Sequence, residues 1–118
     1  LMPDVKHAGG LMETNNIASA ARMSRSLVAP HNPSGPVATV ATGHIVSTMS
    51  NFMILEYAWG EADWRADLIT PPEPIHDGHL SISSRPGLGY RLNEDTLNSH
   101  RRMAPSADDS TKVVIDPN

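Results

Sequence analysis

Ala29-Pro30-His31-Asn32-Pro33-Ser34-Gly35-Pro36 decides how this chain is read. A short apolar run, Leu27-Val28-Ala29, stops at a histidine, and two prolines and a glycine then turn the chain into a helical pattern starting near Val37. Such a layout places His31 on the loop past the C-terminal end of a strand, facing the N-terminus of the next helix. Parallel α/β folds concentrate their chemistry there, because strand ends and helix N-termini converge on one face. Asp4 ends the run Leu1-Met2-Pro3, and Glu56 ends Phe52-Met53-Ile54-Leu55, so three apolar runs finish in Asp, His and Glu.

Working outward, Ala8-Gly9-Gly10 supplies a flexible turn, and helical spacing predicts a helix over residues 12–23. Its inner face is expected to carry Ile17, Ala20, Ala21 and Ser24, with Glu13 favourably placed in the first turn. Pro36 suits the first position of a second helix running to about Met49, capped by Ser34 or Gly35. Val37, Val40, Ala41, His44, Ile45 and Thr48 are expected on its buried side. Residues 51–57 read as a strand covered on both faces, since the run is nearly all apolar. The order β-α-β-α-β calls for right-handed crossovers and a parallel sheet or barrel segment.

After Ala58 the character changes. An irregular loop holds Trp59 and Trp64, and Thr70-Pro71-Pro72-Glu73-Pro74 is a stiff extended connector. Asp77-Gly78 signals a hairpin between residues 74–76 and 80–82. Pro86-Gly87-Leu88-Gly89 forms another irregular loop, Asn93 caps a short helix from Glu94 to about Met103, and residues 104–118 form a loose polar tail. The expected division is therefore a barrel portion over 1–57, a returning segment over 58–103, and that tail.

The chain has 118 residues, 39% of them hydrophobic, so one modest domain with a core is affordable, about half of a (β/α)8 barrel. A net charge of -4 leaves no basic footprint for nucleic acid. No apolar run approaches a membrane span, which argues against a membrane partner. With no cysteine, disulfides and thiolate chemistry are excluded. A cytoplasmic enzyme is the expectation. The opening inside a strand reads as the C-terminal fragment of a larger protein.

Pro3-Asp4, Gly9-Gly10, the Pro30-to-Pro36 stretch, Asn51-Phe52, Glu56 and Pro86-Gly87-Leu88-Gly89 follow one another in an order that resembles the enolase superfamily. The likeness is to the C-terminal part of its mandelate racemase/muconate lactonizing enzyme family, and closest to acid-sugar (galactonate or gluconate) dehydratases. The resemblance implies the last three strands, sixth to eighth, of a (β/α)7β TIM-like barrel, with residues 58–103 returning to an α+β capping domain. It implies that Asp4 and His31 form a catalytic dyad, that Glu56 lies beside the substrate carboxylate, and that His31, Glu56 and Pro33 contact substrate. The implied substrate is a small-molecule sugar acid, the cofactor Mg²⁺ with ligands on earlier strands and none in these residues, and the full-length assembly a homo-oligomer.

The chemistry suits those residue types. A proton α to a carboxylate is too weakly acidic to leave unaided, and imidazole titrates near neutrality, where proton transfer is most effective. Asp4 would fix the ring's tautomer while the other nitrogen moves the proton. The same histidine could assist loss of a 3-hydroxyl, giving a 2-keto-3-deoxy acid. Racemisation or epimerisation of a 2-hydroxy acid is the alternative, as is an inactive remnant. Blander readings stand beside these: Asp4 as the cap of the following turn, Glu56 as half of a simple ion pair, His44 as packing, His7 as a solvated loop residue, and His76 and His79 as hairpin residues without a third ligand.

Overall fold

In a computed structural model, which describes residues 1–101, three extended segments lie side by side with residues 27–30 in the centre. Val28 bridges Phe52 in parallel: its N–H donates to the Asn51 carbonyl (2.9 Å) and its carbonyl accepts from Met53 N–H (2.8 Å). On the other edge the Leu1 ammonium donates to the Leu27 carbonyl (2.9 Å), and Ala29 N–H donates to the Leu1 carbonyl (2.9 Å). Val28 is fully buried, and with Ala18, Ala21 and the half-buried Met49 it forms the apolar core.

Helix α1 spans Leu11–Met23 and α2 spans Pro36–Val46, and the two pack together. The α1 contact face differs from the expected one. Thr14, Ala18 and Ala21 are buried, Ile17 is half-buried and Ala20 exposed. Small residues at i, i+4 and i+7 let the helix approach the central segment closely, and Thr14 satisfies its hydroxyl on the Gly10 carbonyl (2.8 Å). In α2 the buried stripe is Pro36, Thr39, Val40, Gly43 and Val46, joined by Thr42, whereas Val37 and Thr48 are exposed. The stripe starts one residue early because Thr39 turns inward to a polar network and bare Gly43 admits the side chains of Leu80 and Ile82. The helix stops at Val46, but Thr48 and Met49 N–H close a tighter turn on Ile45 and Val46, so the coil runs on to the expected end.

Two strand expectations need correcting. Residues 51–57 are not covered on both faces: Met53 is 64% and Ile54 62% exposed, because among the described residues this segment pairs only with 27–30. The hairpin forms at Asp77-Gly78, with β2 Ile75–His76 against β3 His79–Leu80, one residue tighter than expected. Asp77 (φ 49°) and Gly78 (φ 75°) both adopt the left-handed region that this two-residue turn demands. An unanticipated antiparallel pair joins β1 Ile69–Thr70 to β4 Arg91–Leu92. Helix α3, Glu94–Ser99, is capped by Asn93 Oδ1 accepting from Thr96 N–H (3.2 Å). The helix ends at Ser99, with His100 and Arg101 already outside it, so it stops short of the expected end, while Met103 itself and the expected tail over 104–118 lie outside the described residues. Among the described residues no helix is long and apolar enough to cross a membrane.

Candidate active site

The prolines and glycines of the sequence set the site's backbone. Pro3 and Pro30 are buried at the ends of their extended segments, which delivers Asp4 and His31 to the same edge. Their side chains meet, with His31 Nδ1 2.9 Å from Asp4 Oδ2. The Asp4 side chain is 6% exposed and that of His31 is 44% exposed, so the ring closes over the carboxylate and presents its other edge outward.

Asp4 also takes the turn role weighed against the dyad. Its Oδ1 accepts from Lys6 N–H (2.8 Å), and its carbonyl accepts from His7 and Ala8 N–H (3.0 and 2.7 Å). The two readings coexist because the two oxygens are divided between them. Burial pushes the Asp4 pKa up. The bonds from Lys6 N–H and His31, with the positive charges of Lys6 and His7, outweigh that and hold it below the ordinary 3.8. Asp4 is therefore a carboxylate at neutral pH, and the Nδ1–H of His31 donates to it. That bond leaves Nε2 as the ring nitrogen not engaged with Asp4.

Glu56 is exposed rather than buried under its apolar run. Its Oε2 accepts from Asn32 N–H (3.0 Å), so it grips the loop one residue beyond the imidazole. Pro33 is exposed on that loop. Asn32, only 1% exposed, is the hub that sequence reading passed over: its Nδ2 donates to Thr39 Oγ1 (2.9 Å) and to the Glu56 carbonyl (3.1 Å). Both donors of that amide are thereby used.

Behind the hub lies an ion pair that no local pattern announced. Arg65 forks onto Glu73, Nε to Oε2 at 2.8 Å and Nη2 to Oε1 at 2.9 Å, with side chains 13% and 5% exposed. Arg65 also donates to the Ser34 carbonyl and, through Nη2, to Thr39 Oγ1 (2.9 Å). Tyr57 completes the cluster, its hydroxyl donating to Glu73 Oε2 (3.1 Å) and its ring lying 4.6 Å beneath the guanidinium. Burial and the Glu73 charge push the Tyr57 pKa up, so the phenol stays protonated and donates.

The remaining candidates lie elsewhere. His44 Nε2 pairs with the Leu88 carbonyl (3.1 Å), a packing role, and His7 is exposed. His76 and His79 face each other across β2 and β3, both exposed. Trp64 stacks on His100 at 4.4 Å, and Trp59 is 81% exposed. A cavity of about 600 Å³ between α2, residues 52–59 and the hairpin is lined by none of Asp4, His31 and Glu56. Among the described residues no three His, Asp or Glu side chains converge as a metal site. The carboxylates nearest the dyad are already committed, Asp4 to His31 and Lys6, Glu56 to Asn32, so these residues do not fit a Mg²⁺ ion by themselves.

Three comparisons bear on this arrangement. D-xylonate dehydratase of Haloferax volcanii is 36% identical over 100 residues, covering 85% of this chain and 24% of the relative. D-galactonate dehydratase of Xanthomonas campestris is 33% identical over 111 residues, covering 89% and 29%. The crystal structure of a mandelate racemase/muconate lactonizing enzyme-like protein from Rubrobacter xylanophilus superposes with a TM-score of 0.81 at 37% identity, covering 88% of this chain and 27% of that one. The chain thus spans about a quarter of the length of the proteins it matches. A family model described as Enolase C-terminal domain-like matches residues 1–96. That match takes in the dyad, the Asn32 hub and the Arg65–Glu73 pair together, and the chain belongs to this family, within the enolase superfamily and similar to acid-sugar dehydratases.

Proposed function

We propose that this chain carries the proton-transfer side of the active site of an acid-sugar dehydratase. The supporting observation is the His31 Nδ1–Asp4 Oδ2 contact at 2.9 Å, with the carboxylate buried and the ring's other edge open. Residues 1–57 would then hold the sixth to eighth strands of the barrel, and residues 58–103 the segment that returns to a capping domain.

In this reading Asp4 orients the ring, and Nε2 exchanges protons with substrate. Removal of the proton from C2 of a 2,3-dihydroxy acid and loss of the 3-hydroxyl, protonated as it leaves, release one water. The enol that remains tautomerises to a 2-keto-3-deoxy acid. Glu56, at the same loop, and Pro33, exposed beside it, would border the substrate carboxylate. The magnesium that the resemblance implies would be held by residues other than these.

The test is made on the polypeptide that contains this chain, with a panel of sugar acids and an assay for 2-keto products. His31→Asn should lower turnover about 10²–10⁴-fold, the usual range for a general acid–base group. Solvent deuterium entering substrate at C2 without any keto acid would replace the dehydratase reading by racemisation or epimerisation. Unchanged turnover in His31→Asn would end both.

A further inference from the structure

The His31 loop is fastened from behind by a segment to which the proposed reaction assigns no part. Its fastenings can be followed atom by atom. The ring is held by Asp4, the next amide by Glu56, and the carbonyl of Ser34 by Arg65. Thr39 Oγ1 lies between the last two, accepting from Asn32 Nδ2 and from Arg65 Nη2 while donating to the Gly35 carbonyl (3.4 Å). A hydroxyl has one proton and two lone pairs, so all three are used and no solvent is needed to satisfy it.

The guanidinium is in turn fixed by its two-point fork on Glu73 and by the Tyr57 ring. A fork has one geometry, unlike the single swivelling contact a lysine would make. Because Arg65 and Glu73 are almost wholly withdrawn from water, their attraction is little screened, and the fork transmits that geometry to Ser34 and Thr39.

We infer that Arg65, held by Glu73, is a positioning residue for His31: it sets the backbone of residues 32–35 and through it the place of the imidazole. Its catalytic consequence rests on the proposed proton-transfer role of His31. Its structural content does not, and the experiment is chosen to keep the two apart.

The readout is hydrogen–deuterium exchange by mass spectrometry on the full chain, following backbone amides and the slow carbon-bound proton of each imidazole. Arg65→Met/Glu73→Met removes the pair without stranding a buried charge. In the folded double variant, amides of residues 31–36 should exchange about tenfold faster relative to those of α1, as expected for local opening. The His31 imidazole exchange rate should change at least about threefold in step with that loosening, while that of His76 on the hairpin stays fixed. Val46→Ala, a packing change remote from the network, should raise exchange evenly and leave the ratio of His31 to His76 unaltered. Should the double variant not fold, Arg65→Lys decides: it keeps the charge beside Glu73, loses the fork, and should loosen residues 31–36 by about threefold. Unaltered 31–36 and His31 rates in whichever variant folds, or a pattern no different from Val46→Ala, overturn the inference. Inactivity of the wild-type polypeptide on every sugar acid, with the Arg65 effect present, would remove the dehydratase reading and leave this one standing.

Discussion

Two acid–base pairs in this molecule each join a carboxylate to a nitrogen base, in opposite surroundings. Asp4–His31 has one contact, a buried acid and a base almost half open to solvent. Arg65–Glu73 has a two-point fork, both side chains enclosed, and three further hydrogen bonds from the guanidinium to Tyr57, Ser34 and Thr39. The first pair can admit a ligand, because one edge of its imidazole is open. The second offers no such opening, since its guanidinium stays charged and four of its five N–H groups are already engaged. An open pair and an enclosed one are thus told apart by exposure and by the number of contacts, before any reaction is named.

The largest expected effect breaks the closed pair. Glu73→Ala or Arg65→Met alone leaves an uncompensated buried charge and should cost about 3–5 kcal/mol of unfolding free energy. Removing both partners with Arg65→Met/Glu73→Met should recover most of that loss. Denaturant unfolding of the wild type, both single variants and the double variant closes the cycle. A coupling energy near zero would make the enclosed pair no more than a surface contact, and the contrast with Asp4–His31 would fail.

The open pair was legible in the sequence and the closed one was not. Pro3-Asp4 and Pro30-His31 each follow an apolar run, and a residue that ends a parallel strand has its direction set by the fold. The convergence of strand ends therefore puts Asp4 and His31 on one edge, while their pairing was implied by the family resemblance. The Asp77-Gly78 hairpin and the Asn93 cap were readable for the same reason, being local backbone requirements. Arg65 and Glu73 sit eight positions apart across a 3₁₀ turn and the strand β1, in a stretch with no periodicity, so nothing local links them. Asn32 stood inside the quoted stretch, but its importance lies in atoms of Thr39 and Glu56 that only folding brings near. The helix faces went astray more instructively. Thr14, Thr39 and Thr42 are buried polar residues, and Gly43 is a gap that Leu80 fills, so an apolar count points to the wrong side.

A smaller effect should sharpen the contrast through pH. Asp4 has a folded pKa below 3.8, so its contribution to stability is complete above that value and disappears as the pH falls through the folded pKa. Thermal melts of the wild type and Asp4→Asn should therefore differ most above pH of about 4 and converge in stronger acid. His31→Asn withdraws one of the bonds that lower the Asp4 pKa, and should shrink the acid loss and complete it at higher pH. A wild-type acid transition that Asp4→Asn leaves unmoved would deny the open pair its titrating role.

The smallest effect lies outside both pairs and tests whether they are independent of the scaffold. Helix α1 ends with Ser24, after which Arg25 adopts φ 56° and the chain closes two bonds, Arg25 N–H to the Arg22 carbonyl (3.0 Å) and Ser26 N–H to that of Ala21 (2.9 Å). This is the helix-ending motif that glycine favours, because a Cβ is strained at positive φ. Arg25→Gly relieves that strain, while the greater freedom of glycine in the unfolded chain takes part of the gain back. The net should be a stabilisation of about 0.5 kcal/mol, seen as a rise of about 3 °C in Tm. Exchange at residues 31–36 should stay as it is relative to α2, since Arg25 touches neither Asp4–His31 nor Arg65–Glu73. A change confined to the His31 loop would mean that the exit of α1, not the brace at Arg65, governs how the imidazole is held.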